Sequence, residues 1–347
     1  MRSEVIARLC LTDNEAGHPP VAVQDRFVIM KATTNQLLEK LPPVTIGLGT
    51  AALGRPAYIT TSHGSDLSGR ADKAAMEANA MEVFDFAYAN GVRYFDAARS
   101  YGLAEQFLSH WIARSNPSDI VVGSKWGYTY VADWQQDAEV QEVKDHSVEA
   151  FRRQLGETQA LLGSHLALYQ IHSVTPESPA LQDAQLLSEL ADLRDTGVAI
   201  GVSTSGPKQG EVLNGVSDIV IDGEPLFSAV QTTWNLLETS TSEAIDRLAE
   251  NGIAIIIKEA LANGRLTSAG DLPPTAPGVE ATPDAIALAA AGQYIPSNII
   301  LSGALTVEQL RSNLLAHDLQ LPSRSDVTPT AMEPATYWDQ RSALAWT

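Results

Sequence analysis

The chain has 347 residues, 44% of them apolar, and a formal charge of −19 from 42 acidic and 23 basic side chains. That is enough apolar material for a large core, and a charge that disfavours nucleic-acid binding, which needs clustered Lys and Arg. A single cysteine, Cys10, excludes an internal disulfide and a cysteine-based zinc site. No run of about 18 apolar residues offers a membrane span, and the first residues lack the apolar core of a secretory signal. A cytoplasmic protein is expected.

Residues 1–43 read as an N-terminal extension, in which 21–31 is expected to form a short hairpin beneath the fold that follows. From Val44 onward short apolar runs alternate with amphipathic stretches, the pattern of repeated βα units. Strands are expected at 44–48, 92–95, 120–123, 166–171, 199–202, 229–232, 253–257 and 299–302. Most are continuous apolar runs, as for strands covered on both faces. Helices are expected at 72–90, 103–114, 146–162, 184–196, 242–251 and 306–316, four of them closing on Gly91, Gly163, Gly197 and Gly252. The Pro-rich run 271–283 reads as a loop, either one that folds over a ligand or a passive connection. Eight strands with intervening helices predict a closed (β/α)8 TIM barrel, a single domain over 44–318. A C-terminal tail, 319–347, carries Tyr337, Trp338 and Trp346, which read as packing anchors or, if the tail folds over the barrel top, as the border of a pocket. An open doubly wound sheet fits less well. Its dinucleotide-binding turn needs a third glycine soon after Gly47 and Gly49, and here the next is Gly54 with no helix following at once.

In such a barrel the chemistry sits at the carboxyl ends of the strands. There Asp96 and Tyr101 follow the second strand, Lys125 the third and His172 the fourth. The set has a mechanism. A phenol with a pKa near 10 is a poor acid at neutral pH. An adjacent Lys⁺ favours its phenolate, a buried Asp keeps that lysine charged, and a neighbouring His donates to a carbonyl oxygen. Each residue alone has a plainer reading: Asp96 as a surface residue, Lys125 as a solvated strand end, His172 as a core histidine. With only seven lysines in the chain, the position of Lys125 is informative. The other histidines, His146 among them, show no metal spacing and read as ordinary, so no metal site is expected. Lys258-Glu259 after the seventh strand reads either as an ion pair sealing the barrel top or as a cofactor contact. Trp126, Tyr128, Tyr130 and Trp134, close after the third strand, read as a structural patch or as the lining of a substrate pocket, with Trp126 foremost and Tyr58 a further pocket residue.

The stretch from Gly91 to Gly102 (GVRYFDAARSYG), with Glu105, resembles the aldo-keto reductase superfamily. So do Val122-Gly123-Ser124-Lys125, Leu168-Tyr169-Gln170-Ile171-His172, Gly201-Val202-Ser203, Gln231-Thr232-Thr233-Trp234-Asn235, and Gly303-Ala304 followed by Gln309 and Asn313. Individually these motifs are modest; their order and spacing from about Val44 to Ala316 make them specific. The resemblance implies an oxidoreductase moving a hydride between a nicotinamide cofactor and the carbonyl carbon of an aldehyde, ketone or sugar, or the reverse. It implies Tyr101 as general acid/base, Lys125 and Asp96 as its tuners and His172 as the carbonyl-orienting group. Ser203, Thr204 and Gln231 would hold the nicotinamide carboxamide, and Trp234 would stack on the ring. Gln309 and Asn313 would touch the adenine end, and Gly49, Thr50, Lys258 and Gly303 complete the expected cofactor set.

NADP-preferring relatives place Arg or Lys around 303–306, and this chain has none there, leaving Arg311 or Arg265 as substitutes. The resemblance favours NADP(H), while NAD(H) stays open. The implied partners are small carbonyl or alcohol substrates, with neither nucleic acid nor membrane, and a monomer or small homo-oligomer. Two other readings stand beside this one: a Schiff-base lyase using Lys125 or Lys258, and a cofactor-binding sensor or regulatory protein with slow turnover.

Overall fold

The computed structural model describes residues 39, 41, 44–57 and 72–346. The hairpin expected at 21–31 and the pocket residue Tyr58 lie outside them. Eight parallel strands are hydrogen-bonded in chain order: β1 (Thr45–Gly49), β2 (Tyr94–Asp96), β3 (Val121–Trp126), β4 (Leu166–Val174), β5 (Ala199–Thr204), β6 (Ala229–Thr233), β7 (Ala254–Lys258) and β8 (Ile299–Ser302). Pairing of Thr45 with Ile299 and of Leu48 with Phe95 closes the ring through β1. The expected (β/α)8 barrel is therefore the observed architecture.

Each strand is followed by a helix on the outside: α1 (Lys73–Ala89), α2 (Ala104–Ser115), α3 (Val148–Leu162), α4 (Ala184–Asp195), α5 (Gln209–Val216), α6 (Ser242–Glu250), α7 (Pro283–Gln293) and α8 (Val307–Leu314). Asp72, Ser147, Asp183 and Thr306 cap α1, α3, α4 and α8 with their side-chain oxygens, satisfying N–H groups the helix leaves open. The four glycines expected to end helices all have positive φ. Helices α5 and α7 were not expected. Helix α5 is short and holds two glycines, Gly210 and Gly215. Helix α7 is buried continuously from Ala285 to Ala291, so it carries no polar face to mark the helical period. The proline run before it is a loop over most of its length, but Pro283 is the first residue of α7.

Strand residues alternate between the barrel interior and the helix layer. Inside, Tyr94, Val121, Leu168, Ala254, Ile256 and Ile299 belong to a small apolar cluster of their own. Above it the filling turns polar. The amide nitrogen of Gln231 on β6 donates to Asp96 Oδ2 on β2 at 2.9 Å, a bond that spans the ring. The Tyr94 hydroxyl donates to the same oxygen at 3.2 Å. Glycine at 123 is what admits that tyrosine, because a Cβ there would lie 2.3 Å from its hydroxyl. The outer cluster, between strands and helices, holds Phe84, Phe95, Trp111, Trp126 and Trp234.

Two additions shape the barrel mouth. A hairpin between β3 and α3 pairs Tyr128–Tyr130 with Glu142–Lys144. The tail forms α9 (Pro334–Ser342), anchored by buried Tyr337 and Trp338.

Candidate active site

A cleft of about 670 Å³ opens at the carboxyl ends of the strands. Its catalytic end is built on β2, β3 and β4. The Thr50 backbone N–H and hydroxyl both donate to the Asp96 carbonyl at 2.9 Å, tying the end of β1 to that of β2. Lys125, fully buried, is ion-paired with Asp96 Oδ1 and donates to the Ala97 carbonyl at 2.9 Å. Its Nζ lies 4.9 Å from the centroid of the Tyr101 ring. Tyr101 meets His172 edge-on, with centroids 5.6 Å apart. The four residues expected to carry the chemistry therefore converge at one end of the barrel.

Burial pushes the Tyr101 phenol well up, and Asp96 adds to it, while the guanidinium of Arg55 pulls the other way. Burial drives the His172 imidazole well below its ordinary value, helped by the cations Lys125, Lys258 and Arg55, so the ring is neutral. Its Nδ1 is buried without a partner. The strand bulges here: Ser173 takes a left-handed φ of 52°, and its N–H donates to Ser203 Oγ at 2.8 Å. Ser203 thus holds the bend beside His172 and does not line the cleft. His146, read from sequence as ordinary, donates from Nε2 to the His172 carbonyl at 2.8 Å. Burial lowers His146 to about 4.

Three expectations are corrected by strand parity. Trp126 follows Lys125 on β3 and so faces outward, packed on Phe151 at 5.2 Å between centroids; it is not a pocket wall. Thr204 follows Ser203 on β5 and hydrogen-bonds Thr232 (2.9 Å) and Gln209 (3.3 Å) behind the sheet, away from any carboxamide site. Trp234 lies three residues after Gln231, an odd step, and its indole N–H donates to Ser242 on α6 at 2.9 Å. It is turned from the cleft and cannot stack on a ring bound there.

What sequence reasoning missed comes from segments remote in the chain. Arg55 from the β1 loop, Glu142 from the hairpin and Arg341 from the tail stand in the cleft wall; Tyr128 and Trp346, two of the aromatics read as pocket candidates, stand there with them. Lys258 donates to Thr233 Oγ1 at 2.9 Å, and burial lowers its amine to about 8. Glu259 is gripped by Arg341 at 2.6 Å. Burial pushes that carboxyl up, but Arg341 and Lys258 outweigh it and bring it down to about 2. Glu259 is thus ion-paired with Arg341 and not with Lys258, and both residues of the expected pair line the cleft.

From Tyr101 the cleft runs past Gly49 and Gly303 to α8. Asn313 lies at this far end; its amide nitrogen meets Asp284 Oδ2 at 2.7 Å when its oxygen takes the Ser302 hydroxyl at 2.7 Å. Gln309 accepts from the Leu305 N–H at 2.8 Å and also lines the cleft. Among the described residues no group of three or more His, Cys, Asp or Glu is placed to hold a metal. No helix among them is long and apolar enough to cross a membrane.

These features agree with what the chain is similar to. Pyridoxine 4-dehydrogenase of Escherichia coli (strain K12) is 29% identical over 137 residues, 39% of this chain and 45% of that protein. The match thus spans under half the length of that curated relative. An aldo-keto reductase from Bacillus halodurans in its holo form superposes with a TM-score of 0.59 at 16% identity, over 85% of this chain and 91% of that one. The glycerol dehydrogenase of Gluconobacter oxydans gives 0.58 at 18% identity, over 87% and 94%. At these identities the structures establish the fold. A model of the aldo/keto reductase family matches residues 45–316, and the chain belongs to that family of oxidoreductases, which use nicotinamide cofactors.

Proposed function

We propose that the protein is a nicotinamide-dependent carbonyl reductase or alcohol dehydrogenase for small aldehydes, ketones or sugars, with Tyr101 as its acid/base. The observation that carries this is the convergence of Tyr101, the Lys125–Asp96 pair and His172 at one end of a single cleft. The residues present fit a dinucleotide: the volume suits a bound cofactor, and Gly49 and Gly303 leave its floor open to a backbone-close ligand. Lys258, Gln231, Gln309 and Asn313 are the residues that would hold it. When bound, the cofactor supplies or accepts the hydride.

The rest is done by side chains. With His172 Nδ1 sealed, Nε2 is the nitrogen left to donate to a carbonyl oxygen. Tyr101 gives its proton to that oxygen, so the O–H bond of the phenol breaks as the O–H bond of the alcohol forms. The phenolate left behind faces Lys125, which is ion-paired with Asp96. In the oxidative direction the same phenolate takes the proton back.

The charge along the far end favours NAD(H), against the family leaning towards NADP(H). Asp284 and Glu308 line it, with no Lys or Arg among the described lining residues there. Neither Arg265 nor Arg311 is among those lining residues. Arg265 is bound to Asp271 (3.1 and 3.2 Å), and Arg311 lies over Phe86 at 4.6 Å.

A second reading rests on Lys258, whose lowered amine suits a Schiff base; borohydride trapping with an aldehyde would leave a covalent adduct. The primary test is a tryptophan-fluorescence titration with NADH and NADPH, joined to a panel of aldehydes and alcohols. Saturable quenching and cofactor-linked turnover are expected. No binding of either cofactor below millimolar concentration would sink the reading.

A further inference from the structure

We propose that Arg55 is a positioning residue for proton transfer: its buried guanidinium, stacked on the Tyr101 ring, favours the phenolate that forms when the phenol gives up its proton. The inference rests on the reading of Tyr101 as the acid/base.

Arg55 is 3% exposed. A buried guanidinium is costly unless paired and hydrogen-bonded, and this one is. It donates to Glu142 Oε2 at 2.9 Å and to the Ser100 carbonyl at 3.1 Å. Its Cζ lies 5.3 Å from the Tyr101 centroid and 4.7 Å from that of Trp346. The backbone brings it there. The Leu103 N–H donates to the Gly54 carbonyl at 2.7 Å, and a Cβ at position 54 would lie 2.2 Å from the Tyr101 carbonyl oxygen. Only glycine permits so close an approach, and the next residue is Arg55.

A tether between the hairpin and the β1 loop does not need a cation over this ring. Exposed pairs tie loops together without desolvation. The placement matters for charge. The groups facing Tyr101 are Asp96 from β2, Lys125 from β3, neutral His172 from β4, Glu142 from the hairpin, Glu259 after β7, and Arg55. Lys125 is engaged by Asp96 and the Ala97 carbonyl. The three carboxylates oppose a phenolate, and Arg55, paired with Glu142 as Lys125 is with Asp96, joins Lys125 in countering them. Attraction between a cation and an aromatic face grows when the ring carries negative charge. Guanidinium stays protonated throughout, so Arg55 exchanges no proton and acts through Tyr101 alone.

The test is kcat/KM against pH in the oxidative direction, which needs the phenolate, for wild type, Arg55→Met, Arg55→Lys and Glu142→Gln. Arg55→Met should move the limb that reports phenolate about one pH unit to the alkaline side, with a loss of about tenfold below it. The cofactor Kd should hold. Arg55→Lys should recover part of the shift, and Glu142→Gln should move the limb to the acid side. An ultraviolet difference titration, wild type minus Tyr101→Phe, should show the same shifts without turnover. If Arg55→Met fails to fold, Glu142→Gln decides: an acid-side shift supports the proposal and an unmoved limb overturns it. An unmoved limb in a folded Arg55→Met that turns over slowly also overturns it, leaving the proposed function standing. No turnover by wild type, with any carbonyl or alcohol, would overturn that function and this inference with it.

Discussion

Lys125 and Trp126 are consecutive residues of β3, both fully buried, with nothing else in common. Lys125 points into the barrel and meets Asp96; Trp126 points into the helix layer and packs on Phe151. The same split separates Ser203 from Thr204, and Gln231 from Trp234. A barrel strand end therefore serves two chemistries. Its inward residues meet one another inside the barrel, and its outward residues pack against and hydrogen-bond to the helix layer and neighbouring strands. Proximity to the strand end says where the active site is, and parity says which residues belong to it.

The largest loss is expected on the inward side. Tyr101→Phe keeps the ring and removes the proton, so kcat should fall by about 10³- to 10⁴-fold with cofactor affinity nearly unchanged. Steady-state kinetics and a fluorescence titration check both halves. Turnover near that of wild type would remove Tyr101 from its role. On the outward side, Trp234→Ala should cost about 3–5 kcal/mol of stability, as for any large buried aromatic. Denaturant unfolding measures this, and the folded variant should bind cofactor with wild-type affinity. A selective loss of cofactor binding would return Trp234 to the site.

His146 sits between the two sides, touching Trp126 on one hand and the His172 carbonyl on the other. Its folded pKa of about 4 lies below its ordinary 6.5. Between those values the unfolded chain binds more protons than the folded one. Stability should therefore be complete above pH 6.5 and fall as pH drops towards 4, by about 3 kcal/mol in all. Urea melts at both ends of that window test it. His146→Gln, which keeps a donor for the carbonyl, should flatten the slope.

Much of this was legible in the chain. Continuous apolar runs and glycine-closed helices announce a barrel, because parallel strands buried on both faces have no other composition. Asp96, Lys125 and His172 were legible because they stand at the carboxyl ends of their strands, with Tyr101 just past the second. Parity was not, since an apolar run gives no alternation by which to tell inside from outside, and a strand boundary displaced by one residue reverses the assignment. Arg55, Glu142 and Arg341 were illegible for another reason. They meet at the barrel mouth only after the hairpin and the tail fold over it. Helix α7 was hidden by being apolar on every side.

The smallest effect concerns the two ends of the cleft rather than the two sides of a strand. At the catalytic end Arg55, Lys258 and Arg341 offset Asp96, Glu142 and Glu259; at the far end Asp284 and Glu308 have no cation beside them among the described lining residues. A 2′-phosphate brings up to two further negative charges to that end, whereas a ribose 2′-hydroxyl can donate to a carboxylate. NADH should therefore bind at least about tenfold more tightly than NADPH, a difference of about 1.4 kcal/mol. Removing both charges, Asp284→Asn with Glu308→Gln, should narrow the ratio mainly by strengthening NADPH. The preference should also shrink as salt is raised, because an exposed carboxylate is screened. Tighter binding of NADPH to wild type would mean that the far end is not read by charge, and that family habit outweighs the acidic lining.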